Sequence, residues 1–145
     1  MAQSRAPQEP GIRIAIIDPQ DLNREGIANA ISVYPELVLV GSAQDAITAM
    51  DPIAKAMPDV VLLNLGPSLQ TFKNVCDLVL EQGEAKVIAL AIDPSHEELD
   101  AVMNSGAKGY VLKKSCDETI IEAFRAVADG QSYIDPVIAQ DYKNR

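Results

Sequence analysis

The chain has 145 residues, 48% of them apolar, which suits one domain with a core of its own and removes any need for stabilising disulfides. A net charge of −9 repels nucleic acid, so DNA would be reached only through a separate domain or another chain. No apolar run approaches the roughly 18–20 residues of a membrane span and no secretory signal opens the chain, which points to the cytoplasm.

In chain order, the polar, Pro-containing segment 1–11 reads as a disordered tail. "IRIAII" (12–17) is a buried-strand run that stops at Asp18-Pro19. "DLNREGIANAISVYPE" follows, with Leu22, Ile27, Ala30, Ile31 and Tyr34 at near-helical spacing and Pro35 as its stop. "LVLVGSA" (37–43) is a second strand. Residues 44–57 are helical in pattern, through Ile47, Met50, Ile53 and Met57. Pro52 lies inside that stretch, and Asp51-Pro52 resembles an N-cap and first-turn pair, so two pieces or a bend are expected.

"DVVLLN" is the third strand and ends on Asn64. A helix over about 68–82 turns Phe72, Val75, Cys76 and Val79 inward and closes at Gly83. "AKVIALAI" (85–92) is the fourth strand. Asp93-Pro94-Ser95 caps a helix over about 95–105, ended by Gly106. "KGYVLK" is a short fifth strand. "SCDETIIEAFRAVADG" opens on a Ser115–Glu118 capping box and has Ile120, Phe124 and Val127 as its core stripe. Cys76 and Cys116 lie far apart without metal-ligand partners and read as reduced thiols. Met50, Met57 and Met103 read as core fillers. Val102 and Ile121, beside the helix core stripes, are candidates for partial exposure at a partner surface. His96, beside Glu97 and Glu98, reads as a solvated surface residue.

Strands alternating with helices give an α/β fold, a parallel sheet covered on both faces. Such sheets bind ligands beyond the carboxyl ends of their strands. The residues at those ends are Asp18-Pro19, Asn64, Ala91 and Lys113.

The same stretches carry a family resemblance. "IAIIDPQDLNREGI", "DVVLLNLGPS", "AKVIALAID", "NSGAKGYVLKKS" and "AVADGQSYIDPVIA" are similar to bacterial two-component receiver domains. They resemble above all those of regulators with a LuxR-type helix-turn-helix output, from about Ile12 to Ala139. The resemblance implies a flavodoxin-like, doubly wound sheet of five parallel strands in the order 2-1-3-4-5. It also implies a receiver-like domain over 12–131. Residues 132–145 would then be linker, or the start of an extension toward a possible DNA-binding domain.

In that family two acids after the first strand hold Mg²⁺, and an Asp after the third attacks a phosphoryl donor. A Thr or Ser after the fourth strand and a Lys after the fifth contact the phosphoryl group. Its dispersed negative charge needs a hard cation and an ammonium, and its transfer needs a carboxylate nucleophile. Carried over residue by residue, the set is broken here. Asp18 holds the first acid position, but Pro19 offers no ligand at the second. Asn64 is an amide where the nucleophile belongs, and Ala91 lacks the hydroxyl. Lys113 remains, and Tyr110 stands where the family keeps a rotating aromatic switch. The Met-Pro that usually follows the nucleophile is replaced by Pro67-Ser68.

The resemblance therefore implies a degenerate, atypical receiver with no catalytic residues, no bound metal and no cofactor. Lys113, relieved of a phosphoryl partner, is expected to hydrogen-bond Asn64 or to pair with Asp18. Tyr110 reads as a half-buried packing residue. The expected function is regulatory, through a homodimer or a partner protein. The last helix, with the first or with the one before it, would supply the contact. A small-ligand sensor and a stand-alone adaptor are the alternatives. An enzyme of another α/β type lacks a nucleophile elbow, a phosphate loop and a usable His.

Overall fold

The computed structural model describes residues 11–66, 68–93 and 95–143. The expected tail lies almost wholly outside them, as do Pro67 and Pro94. Strands and helices alternate: β1 (Ile12–Ile17), α1 (Asp21–Ser32), β2 (Leu37–Ala43), α2 (Ala46–Ala56), β3 (Val60–Asn64), α3 (Leu69–Glu81), β4 (Lys86–Ala91), α4 (His96–Asn104), β5 (Gly109–Leu112), α5 (Asp117–Ala128), β6 (Tyr133–Ile134) and α6 (Pro136–Lys143).

All strand pairings are parallel, in the order β2-β1-β3-β4-β5-β6. The expected order is kept, with a sixth strand added at one edge. The segment expected as linker thus supplies β6 and α6. A two-residue strand is too short to show an alternating pattern in sequence.

Period-two alternation divides the core between the two faces of the sheet. Ile14, Ile16, Val60, Leu62, Ile88 and Leu90 face α1 and α5, where Ile27, Ile31, Ile121, Phe124 and Val127 meet them. Ala15, Ile17, Val61, Leu63, Val87 and Ala89 face the other way, against Ile53 of α2, Phe72 and Cys76 of α3, and Leu99 and Val102 of α4. Because both faces are covered, the strands read as unbroken apolar runs. The GAKG segment leading into β5 needs its glycines. Gly106 closes α4 at φ +103°, and a Cβ there would lie 2.9 Å from Leu80. At Gly109 a Cβ would lie 2.9 Å from Ile88.

Several local expectations are corrected. Helix α2 runs unbroken through Pro52 because Asp45 is its cap, accepting from the Thr48 amide at 2.9 Å. Pro52 is exposed, so water can serve the carbonyl it leaves without a donor. Leu22 (84% exposed) and Ile47 (90%) sit in the first turns of α1 and α2, at the rim and not in the core. Met57 ends α2 in the left-handed conformation and is also exposed. Val102 and Ile121 are buried, so neither is available to a partner. The N-cap of α5 is Cys116 and makes no side-chain capping bond; Ser115 is turned elsewhere. His96 is half-buried at the start of α4. Both cysteines are free thiols, and burial of Cys76 pushes its pKa up to about 11.

Candidate functional site

The carboxyl ends of β1, β3, β4 and β5 bring the candidate residues to one edge of the sheet. Asp18 follows β1, and its amide still bonds the Ala43 carbonyl of β2 at 3.0 Å. That bond holds the side chain in place, fully buried. Its carboxylate is closely held. Oδ1 accepts from the Gln20 amide at 2.8 Å, and Oδ2 from Asn23 Nδ2 at 2.7 Å. Lys113 Nζ lies 3.3 Å from Oδ2. The Asp18 carbonyl takes a further bond from Arg24, 2.6 Å away.

Lys113 is set by its amide, which bonds the Ala91 carbonyl at 2.8 Å. Its ammonium also donates to Gln20 Oε1 at 3.0 Å. Of the two partners expected for Lys113, the structure gives it Asp18. Asn64 closes β3, level with Leu90 of β4, and is half-buried. Its Oδ1 is buried with no hydrogen-bond partner among the described residues. A buried acceptor left unpaired is costly, and nearly all such groups find partners. Ala91 is fully buried and Pro19 is exposed.

Tyr110 is fully buried, beyond the half-burial expected, on the α4 side of β5. Its hydroxyl donates to Glu98 Oε1 at 2.8 Å. Burial, followed by the Glu98 carboxylate, raises its pKa far above that of an ordinary phenol.

Sequence reading missed Gln20, Asn23 and Glu98. Each acts through a side chain or turn that apolar periodicity does not register. The Asp-Pro-Gln-Asp-Leu-Asn order at a strand-to-helix junction was the one available signal, since a carboxylate there can accept from the opening turn of the helix.

Mg²⁺, which the resemblance implies, fits these residues poorly. It needs oxygen ligands in near-octahedral array, and here a single carboxylate already serves two hydrogen-bond donors and an ammonium. Among the described residues no group of three or more His, Cys, Asp or Glu could hold a metal ion. No helix among them is long and apolar enough to cross a membrane.

No family model matches the chain. It is 32% identical over 134 residues to the transcriptional regulatory protein DegU of Brevibacillus brevis, covering 92% of this chain and 57% of that protein. It is 29% identical to the oxygen regulatory protein NreC of Staphylococcus carnosus, covering 92% of this chain and 62% of the other. The chain thus spans roughly three fifths of the length of these relatives. Among solved structures, the signal receiver domain of NarL from Mycobacterium tuberculosis matches with a TM-score of 0.75 and 26% identity, over 83% of this chain and 98% of that one. A LuxR-family two-component response regulator from Aurantimonas sp. SI85-9A1 matches with a TM-score of 0.78 and 26% identity, over 90% and 94%. The sheet order, the two-faced core and these likenesses agree: the chain has the receiver-domain fold and is similar in sequence to the receiver portions of LuxR-type response regulators.

Proposed function

We propose that this receiver works without phosphorylation, as an interaction module in the N-terminal part of a cytoplasmic transcriptional regulator. In this reading it is not an enzyme and acts as a homodimer or on a partner protein. Any DNA contact falls to a separate domain beyond residues 132–145. In this reading the unit is residues 12–131 together with β6 and α6, which the following segment adds to the edge of its sheet. DegU is a transcriptional regulatory protein of which this chain covers 57%, so much of its length lies outside the match, which supports this division.

The observation that carries the proposal is the state of Asp18. Its carboxylate is saturated by Gln20, Asn23 and Lys113, while the neighbouring strand ends offer an amide at Asn64 and a methyl group at Ala91. Neither the amide of Asn64 nor the methyl of Ala91 is a nucleophile toward phosphorus, and Lys113 is held by protein groups. Incubation with acetyl phosphate and Mg²⁺ is expected to leave the intact mass unchanged. A stable gain of about 80 Da, one phosphoryl group, would overturn the reading. Light scattering across a concentration series tests the homodimer: the mass is expected to rise to twice that of the chain. A strict monomer at high concentration removes self-association and leaves a hetero-partner.

One observation favours the small-ligand alternative, namely the unpaired Oδ1 of Asn64. A donor group on a metabolite would satisfy it. A ligand-dependent rise in Tm that Asn64→Leu abolishes would promote that reading over the interaction module or a stand-alone adaptor.

A further inference from the structure

The C-terminal element is fastened to the crevice through one buried carboxylate, and we infer that Asp135 couples the state of Lys113 to the docking of α6. Asp135 is 1% exposed. Its amide bonds the Tyr110 carbonyl at 2.8 Å, extending the short β6 ladder by one step. Beyond that step the chain turns into α6 and the side chain takes over. Oδ2 accepts from the Leu112 amide at 3.0 Å and from the Ser115 hydroxyl. Oδ1 accepts from the Val137 amide at 3.1 Å, in the first turn of α6. One carboxylate therefore caps α6 with one oxygen and holds both ends of the segment 112–115 with the other.

Lys113 lies between those two anchor points. Its side chain runs the other way, to Asp18 and Gln20. A displacement of Lys113 from Asp18 shifts the segment that Oδ2 grips, and the rigid carboxylate transmits the shift to the cap of α6. The receiving end is weakly held. An eight-residue helix is marginal without tertiary support. Besides the cap, α6 is anchored by Ile138, which is 2% exposed and belongs to the same core cluster as Tyr110 and Leu112, whereas Val137 is 63% exposed. Such an element opens locally at low cost, so a small change in its cap moves a measurable population. The coupling needs neither a phosphoryl group nor its absence, and so stands apart from the proposed function.

The test is hydrogen–deuterium exchange on the full chain. Ser115→Ala removes one grip on Oδ2 and is expected to speed exchange of the α6 amides about tenfold. Lys113→Gln touches nothing in α6, yet is expected to speed the same amides several-fold. Combined with Ser115→Ala it should add little, since both act through one carboxylate. Slow exchange in β4 serves as the check that each variant is folded. If Lys113→Gln leaves α6 at the native rate while Ser115→Ala loosens it, the clasp is local and the coupling is wrong. If Ser115→Ala also leaves α6 unchanged, Asp135 is no clasp.

Discussion

The triple variant Pro19→Asp, Asn64→Asp, Ala91→Thr is expected to take up one phosphoryl group from acetyl phosphate in the presence of Mg²⁺, and the native chain is expected to take up none. Each replacement restores a different requirement of the transfer. Aspartate at 64 supplies a nucleophilic oxygen at the end of β3. Aspartate at 19 adds a carboxylate beside Asp18, so that a hard cation has more than one charged ligand. Threonine at 91 supplies a hydroxyl donor at the end of β4. Lys113 already provides the ammonium, although it must loosen its hold on Asp18 and Gln20 to serve. Asn64→Asp alone is expected to fail, because the cation would still have to compete with Asn23, Gln20 and Lys113 for Asp18. The contrast is all-or-none by intact mass. Uptake by the single variant would show that Pro19 and Ala91 are neutral and that one amide silences the site. No uptake by the triple variant would place the block elsewhere, in the grip on Asp18.

That experiment draws on the part of the molecule that was easiest to read. Strands buried on both faces leave unbroken apolar runs such as VVLL and VIALA, and the residue that ends each run falls at the carboxyl edge of the sheet. Asp18, Asn64, Ala91 and Lys113 could be placed for that reason. What failed was whatever depends on distant partners. Leu22 and Ile47 fit the helical period yet lie exposed, because their turns begin at the rim, past the reach of the core. Ser115 and Glu118 have capping-box spacing, but the Ser115 hydroxyl goes to Asp135, 20 residues on. Val102 and Ile121 sit at the margins of their helical stripes and looked open to a partner; the sheet covers both. The hold of Gln20 and Asn23 on Asp18 and that of Glu98 on Tyr110 leave no periodic trace. The fold was legible because periodicity records burial; the polar wiring of the site was not, because hydrogen-bond partners are chosen in three dimensions.

The wiring predicts an asymmetry between the two halves of the buried ion pair. Lys113→Met is expected to destabilise the domain by about 3 kcal/mol, at the lower edge of what removing one partner of a buried pair costs. Asp18 is wholly buried, so without the ammonium its charge stays out of reach of water, eased by the Gln20 and Asn23 bonds alone. Asp18→Asn is expected to cost only about 1 kcal/mol, because the side-chain oxygen can still accept a hydrogen bond and no buried anion remains. Lys113 is 15% exposed and already bonded to Gln20, so it can swing toward solvent. The double variant should then cost less than the sum of the two, since Asp18→Asn removes the very charge that Lys113→Met leaves stranded. Urea unfolding of the four proteins measures the cycle. For a domain of this size, roughly 2–4 °C of Tm per kcal/mol separates the Lys113 variant clearly from the native chain. If Asp18→Asn proved the more damaging change, the hydrogen bonds from α1 would be what holds the crevice closed. Lys113 would then be free to serve a ligand, and the picture of a crevice locked by its own residues would fail.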